Sequence, residues 1–149
     1  MHKNVLIICS SSHHNNTFSI ANAIGKELNG VVVKPNEFKA ETISEYDLIG
    51  FGSGIYNGKF HISILNLIDK LGIQDHKHAF VFSTSTIPYK AMHNNLKDSL
   101  MQKGFDIIGG FSCKGFMNYS FTKYLGGINK GRPNAEDLRK AQDFARSIK

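Results

Sequence analysis

With 149 residues, 41% hydrophobic and 20% charged, the chain has the size and composition of one globular domain, residues 1–149, with a respectable core. No run approaches the roughly 20 apolar residues of a membrane span, and Met1-His2-Lys3-Asn4 leads into a strand without a signal-like apolar region or cleavage site, so a soluble cytoplasmic protein is expected. The formal net charge is +6, but Lys and Arg are scattered, with only Lys123, Lys130 and Arg132 in the richest stretch, and no motif supports a nucleic-acid partner.

Short apolar runs alternate with helical periodicities along the chain. The runs are Val5–Cys9, Val31–Val33, Leu48–Gly52, Ala79–Phe82 and Phe105–Phe111. Being continuous rather than alternating, they fit parallel strands covered on both faces. A helix over 17–29 carries Ile20, Ala21, Ile24 and Leu28 on one face and stops at Gly30. The spacing predicts a second helix over 61–71, ended by Gly72, and a third over 89–103, ended by Gly104. A fourth, over 134–148, follows Pro133, with Asn134 as N-cap and Glu136 and Asp137 in its first turn. Residues 36–46 read as one or two helical turns. The alternation gives a doubly wound, three-layer α/β/α domain around a five-stranded parallel sheet.

Ligands of such folds bind beyond the carboxyl ends of the strands. Four loops there are polar or glycine-rich. Ser10-Ser11-Ser12-His13-His14-Asn15-Asn16-Thr17 joins the first strand to the first helix, where free N–H groups and the helix dipole favour an anion. Ser10, Ser12, Asn16 and Thr17 add short donors, with no Lys or Arg in the loop; the plainer reading is that Asn16 or Thr17 only caps the helix. His13 and His14 read as surface or phosphate-proximal, and no metal-ligand spacing surrounds them. The GxxxxGK[ST] loop of nucleoside-triphosphate proteins is absent.

The stretch Gly52-Ser53-Gly54-Ile55-Tyr56-Asn57-Gly58-Lys59-Phe60-His61 combines glycines, which let a backbone approach a flat ligand, with Tyr56 and the Asn57-Gly58 turn dipeptide. Tyr56 offers an aromatic face or simply packs. Ser83-Thr84-Ser85-Thr86 forms the third loop, and Ser112-Cys113-Lys114-Gly115 the fourth. Cys9 and Cys113 match no CxxC spacing and read as free thiols at strand ends, a regulatory disulfide being the alternative.

These residues resemble the flavodoxin-like FMN-binding proteins over essentially the full chain. The resemblance rests on Ser10-x-Ser12-His13-x-x-Asn16-Thr17, on Gly52–His61 and on Ser83–Thr86. It implies strand order 2-1-3-4-5 and FMN as cofactor. It places the phosphate on Ser10, Ser12, Asn16 and Thr17, and counts His13 and Asn15 of the same loop among the cofactor-binding residues. One side of the isoalloxazine would lie along Ser53, Gly54, Ile55, Tyr56, Asn57, Gly58 and Lys59. The other would meet Ser83, Thr84, Ser85, Thr86 and Cys113, and the Asn57-Gly58 peptide would turn to accept the proton of reduced flavin N5. The first loop departs from the usual Thr/Ser-x-Thr-Gly-x-Thr: it is one residue longer, and His-His-Asn replaces the glycine region. The carrier flavodoxins are acidic and this chain is basic. Lys59, Lys114 and Lys90 should therefore favour the anionic reduced flavin and give a less reducing cofactor.

Three functions stay open on this reading. The first is an electron carrier serving redox partner proteins, which needs no catalytic acid or base. The second is an FMN-dependent oxidoreductase, a quinone reductase or protoporphyrinogen-oxidase-like enzyme, with residues 116–133 either roofing a substrate pocket or forming an ordinary surface loop. The third is a binding protein that lost the flavin.

Overall fold

The computed structural model describes residues 2, 4–11, 16–85, 88, 90–115 and 131–149. Its elements run β1 (Val5–Ser10), α1 (Asn16–Leu28), β2 (Val31–Val33), β3 (Leu48–Tyr56), β4 (Lys59–Phe60), α2 (Ile62–Lys70), β5 (Lys77–Ser85), α3 (Asn94–Gln102), β6 (Phe105–Lys114) and α4 (Ala135–Ile148). Two 3-10 segments, Pro35–Glu37 and Ala40–Glu45, fill the stretch read as one or two helical turns. A third, Lys90–His93, leads into α3, which therefore starts later than residue 89.

Five strands are parallel, in the spatial order β2-β1-β3-β5-β6. Numbering those five alone gives the expected 2-1-3-4-5. The sixth strand, β4, was not legible beforehand: two residues fold back antiparallel on β3, pairing Tyr56 with Lys59 and Ile55 with Phe60.

Alternate side chains of each strand enter opposite cores. Val5, Ile7, Cys9, Phe80 and Phe82 face α1 and α4, meeting Ile20, Ile24, Ala141 and Ala145. Leu6, Ile8, Ile49, Phe51 and Val81 face α2 and α3, meeting Ile64, Ile68, Leu96 and Leu100. Full burial of each such side chain contributes about 1.5–3 kcal/mol. This two-sided burial is why the strands read as unbroken apolar runs.

The glycines of the stretch from Gly52 are expected to make room for a flat ligand, but Gly52, like Gly50 before it, makes room for one of the protein's own rings. A Cβ on Gly50 would lie 2.3 Å from the Phe80 ring, and one on Gly52 would lie 2.2 Å from the Phe82 ring. The helix ends also refine the reading. Asn29, at φ 54, takes the left-handed position after α1, and Gly30 N donates to Gly25 O at 2.8 Å. Gly104 does end α3 as expected, at φ +88 with its N donating to Met101 O at 3.0 Å. Asn134 caps α4 as expected: its Oδ1 accepts from Asp137 N at 3.0 Å, and Asp137 Oδ2 accepts from Asn134 N at 2.8 Å.

Candidate functional site

The carboxyl ends of the five parallel strands share one edge of the sheet, here the upper edge. Strand pairing aligns Ser10 of β1 with Ser53 of β3, Ser53 with Ser83 of β5, and Ser83 with Ser112 of β6. Four neighbouring strands therefore carry a serine in one row. The next row up is Gly54, Thr84 and Cys113. The strands run past their apolar stretches into these rows, so Ser53–Tyr56, Ser83–Ser85 and Ser112–Lys114 are strand rather than the expected loops.

The serines of the row do different things. Ser53 is fully buried; its Oγ donates to Gly54 O at 2.6 Å and accepts from His61 N at 3.0 Å. It thereby ties β3 to the start of α2. His61 caps that helix, its Nδ1 accepting from Ser63 N at 3.1 Å. Ser83 is also fully buried, with its Oγ 2.7 Å from His93 Nε2. Both serines were expected to face the cofactor, but their hydrogen bonds hold the edge together from beneath. Thr17 and Thr84 join in the same way, Oγ1 to Oγ1 at 2.8 Å and buried, stitching the start of α1 to β5. Asn16 is buried beside Gly115, where a Cβ would come within 3.0 Å of its Nδ2.

Other hydroxyls remain unspent. Among the described residues, three buried side-chain polar atoms lack a hydrogen-bond partner, and two of them, Ser11 Oγ and Ser85 Oγ, belong to this edge. Native proteins seldom leave buried donors orphaned, since each costs about 1–3 kcal/mol. Ser10 and Ser11 line a cleft of about 290 Å³ whose far wall includes Lys34, Asn36, His61 and Ser63. The Lys34 ammonium stands 5.9 Å from the centre of the Phe18 ring in the same cleft. Lys34 was not among the expected site residues. It enters from the end of β2, the neighbour of β1, and supplies the cation that the first loop lacks.

Beyond Ser53 the chain makes a two-residue hairpin between β3 and β4. Asn57 and Gly58 both have positive φ, 52 and 78, as a right-twisted two-residue hairpin requires. A Cβ on Gly58 would meet nothing within 4 Å. Tyr56 folds back over Gly54, with a Gly54 Cβ 3.1 Å from its hydroxyl, and meets the His61 ring edge-on at 5.4 Å. Ile55 points instead into the core beside Phe60 and Phe51. Lys59 is exposed on the hairpin. Ser12, His13, Asn15 and Thr86 lie outside the described residues, as do residues 116–130.

The buried titratable groups at this edge are held neutral. Burial pushes the His93 ring down to about 4, with the Lys97 ammonium adding to the effect. Burial pushes the Cys113 thiol up to about 12 and raises Cys9 further. Both cysteines are free and buried, and Cys113 packs in the core under α1 and α4 rather than facing outward. Among the described residues, no cluster of three His, Cys, Asp or Glu side chains is arranged to hold a metal ion.

A row of small hydroxyl side chains, a cleft of about 290 Å³ lined by Ser10, Ser11 and Lys34, and the two-residue Asn57-Gly58 hairpin thus lie at one edge of the sheet. The protein-family model described as Flavodoxin domain matches residues 7–118. The chain belongs to the flavodoxin domain family, and FMN is the cofactor that this membership assigns to it. An uncharacterized protein of Methanocaldococcus jannaschii is 48% identical over 145 residues, covering 96% of each chain. A flavodoxin from the domain Archaea superposes with a TM-score of 0.73 at 15% identity, covering 98% of this chain and 96% of its own. Flavodoxin 2 from Bacillus cereus gives 0.73 at 22% identity, over 98% and 97%. At such identities these two likenesses carry the fold alone.

The residues present fit FMN. Two buried hydroxyls have no partner of their own, the cleft at Ser10, Ser11 and Lys34 has room and a cation for a phosphate, and the Asn57-Gly58 hairpin with Tyr56 would stand beside a ring.

Proposed function

We propose that this chain is a cytoplasmic FMN-carrying electron-transfer protein, one domain over residues 1–149, that exchanges electrons with redox partner proteins. FMN, when bound, supplies reversible one- and two-electron chemistry. The chain's own part is to bind, orient and tune. Ser10, Ser11 and Lys34, with Ser12, His13, Asn15 and Asn16 of the same loop, would hold the phosphate, and Thr17, whose hydroxyl is taken by Thr84, would add only its backbone N–H. Tyr56, Gly54 and Lys59 would flank one side of the ring, and Ser85 with Thr86 the other. The Asn57-Gly58 peptide would present its carbonyl to flavin N5, and Gly58, already at φ +78 with open space around it, gives that peptide room to turn.

The observation that carries this reading is the division of labour among the hydroxyls. Ser53, Ser83, Thr17 and Thr84 spend theirs on the protein, while Ser11 and Ser85 do not. The one-domain reading is supported by α4, which packs on α1 in a shared core. An electron carrier needs a bound, tuned flavin and a docking face. An oxidoreductase acting on a quinone or porphyrinogen would need a substrate pocket as well.

The test is to load the protein with FMN and follow its redox behaviour. Reversible reduction in separate one-electron steps, with little turnover of NADPH or quinone, is expected. Rapid quinone reduction by NADPH would point to the enzyme instead.

A further inference from the structure

The twelve carboxylates are unevenly placed along the chain. None lies in residues 1–26, 48–68, 76–97 or 107–135, the runs that supply most of the upper edge. Three carboxylates do reach that edge, and each is engaged. Glu37 accepts from Lys34 N at 2.8 Å, Glu136 pairs with Arg139 at 2.5 Å, and Asp137 is gripped by Arg132 at 2.5 and 2.6 Å. The opposite edge holds Asp47, Asp75 and Asp106 just before or at the start of β3, β5 and β6, with Glu27 and Asp69 in the last turns of α1 and α2. The carboxylates are therefore gathered at the lower edge, among Lys26, Lys70, Lys77 and Lys103, and the upper edge is left with a positive excess.

Three lysines stand exposed at the positive end: Lys34 after β2, Lys59 on the hairpin and Lys114 at the end of β6. None of them takes part in an ion pair among the described residues, whereas Arg132, Arg139 and Arg146 all do. Lys34 and Lys114 follow the two outermost strands of the five, and Lys59 lies between them. Four strand spacings of roughly 4.8 Å place the outer two about 19 Å apart. That breadth matches a protein docking patch, on the order of 800 Å² per partner, better than a small ligand.

We propose that the partner docking over this edge is a carboxylate-rich redox protein, steered and held by Lys59 and Lys114, with Lys34 turned to the phosphate cleft between them and the outer strand. This rests on the electron-transfer reading and names the chemistry of its partner. Unpaired lysines around a site whose few carboxylates are already engaged both attract an acidic face and repel a basic one.

The test uses two probe proteins of opposite charge, an acidic rubredoxin and a lysine-rich cytochrome c. Electron transfer from the reduced FMN-loaded protein is timed by stopped flow at low and high salt. The rubredoxin rate should fall about tenfold or more as salt rises, while the cytochrome rate rises or stays flat. The Lys59→Glu/Lys114→Glu double variant should lose about tenfold with rubredoxin at low salt, and Lys114→Glu alone about threefold. Lys26→Glu/Lys70→Glu, two exposed lysines at the opposite edge, should change the rate by less than about twofold.

Calorimetric titration with zinc-substituted rubredoxin runs in parallel on flavin-loaded and flavin-free protein. Salt-sensitive binding that Lys59→Glu/Lys114→Glu abolishes supports the docking surface even if FMN fails to bind, in which case only the electron-transfer reading falls. Rubredoxin binding indifferent to salt would overturn the proposal. So would equal losses from both pairs of reversals, or a short DNA duplex that outcompetes rubredoxin for the same lysines.

Discussion

The two ends of the sheet are made by the same strands, and both are polar, yet they use polarity in opposite ways. At the lower edge, donors and acceptors are matched within the protein. Asn4 N donates to Asp47 Oδ1 at 2.9 Å, Gln74 N to Lys103 O at 2.7 Å, and Lys103 Nζ to Asp69 O and Leu71 O at 3.0 and 2.8 Å. His76 and Asp106 pair at 3.1 Å, and His2 Nε2 lies 2.9 Å from His78 Nδ1. Among the described residues His2 Nδ1 is the one orphan there. At the upper edge, a lower layer of bonded hydroxyls supports Ser11 and Ser85, which have none. Polar residues by themselves do not mark a site; donors left unspent above a closed network do.

The comparison can be broken most severely from below. Gly104 sits at φ +88, and a Cβ there would lie 2.0 Å from Gln74 O, against backbone. Gly104→Ala should destabilise by about 3 kcal/mol or more in urea unfolding. Whatever fraction stays folded should keep its FMN affinity, because the two edges are independent.

A change of pH probes the support of the upper edge. His93 is held down to about 4, against 6.5 for an unhindered histidine. As pH falls through that window the unfolded chain takes up the proton first. Stability is therefore complete above about 6.5 and lost progressively toward about 4, by up to roughly 3 kcal/mol. His93→Gln should flatten that part of the stability profile. Ser83→Ala leaves the buried ring nitrogen without its partner, and should cost about 1–3 kcal/mol at neutral pH.

Ser11→Ala with Ser85→Ala asks the reverse question. Stability should stay within about 0.5 kcal/mol, since no protein bond is lost, while FMN affinity should drop about tenfold in a fluorescence titration. Gly58→Ala is the mildest change. Nothing crowds the new methyl, so the strain of a positive φ should lower stability by only about 1 kcal/mol. Its sharper readout is a shift in the potential for the first electron; an unchanged redox profile would mean that the Asn57-Gly58 peptide does not turn.

The five parallel strands and four helices were legible because their apolar patterns are long and locally consistent. The strand ends were not, because Ser53–Tyr56 and Ser83–Ser85 carry the small and polar residues of a loop while being paired as strand. The roles of individual hydroxyls were hidden for a related reason. Composition shows that Ser53, Ser83 and Ser85 can donate, but not that the first two meet His61 N and His93. Gly52 looked like ligand clearance because the Phe82 ring that needs it lies 30 residues further along. Lys34 was missed because it is remote from Ser10 in sequence and reaches the cleft only through the pairing of β2 with β1.

The most direct measurement is to titrate the flavin-free protein with FMN and, separately, with riboflavin, following flavin fluorescence. If the first loop is a phosphate cradle, FMN should bind about 100-fold or more tighter than riboflavin, a difference of roughly 2.7 kcal/mol. Equal affinities, or no binding of either, would mean that the loop only caps a helix and that the site reading is wrong.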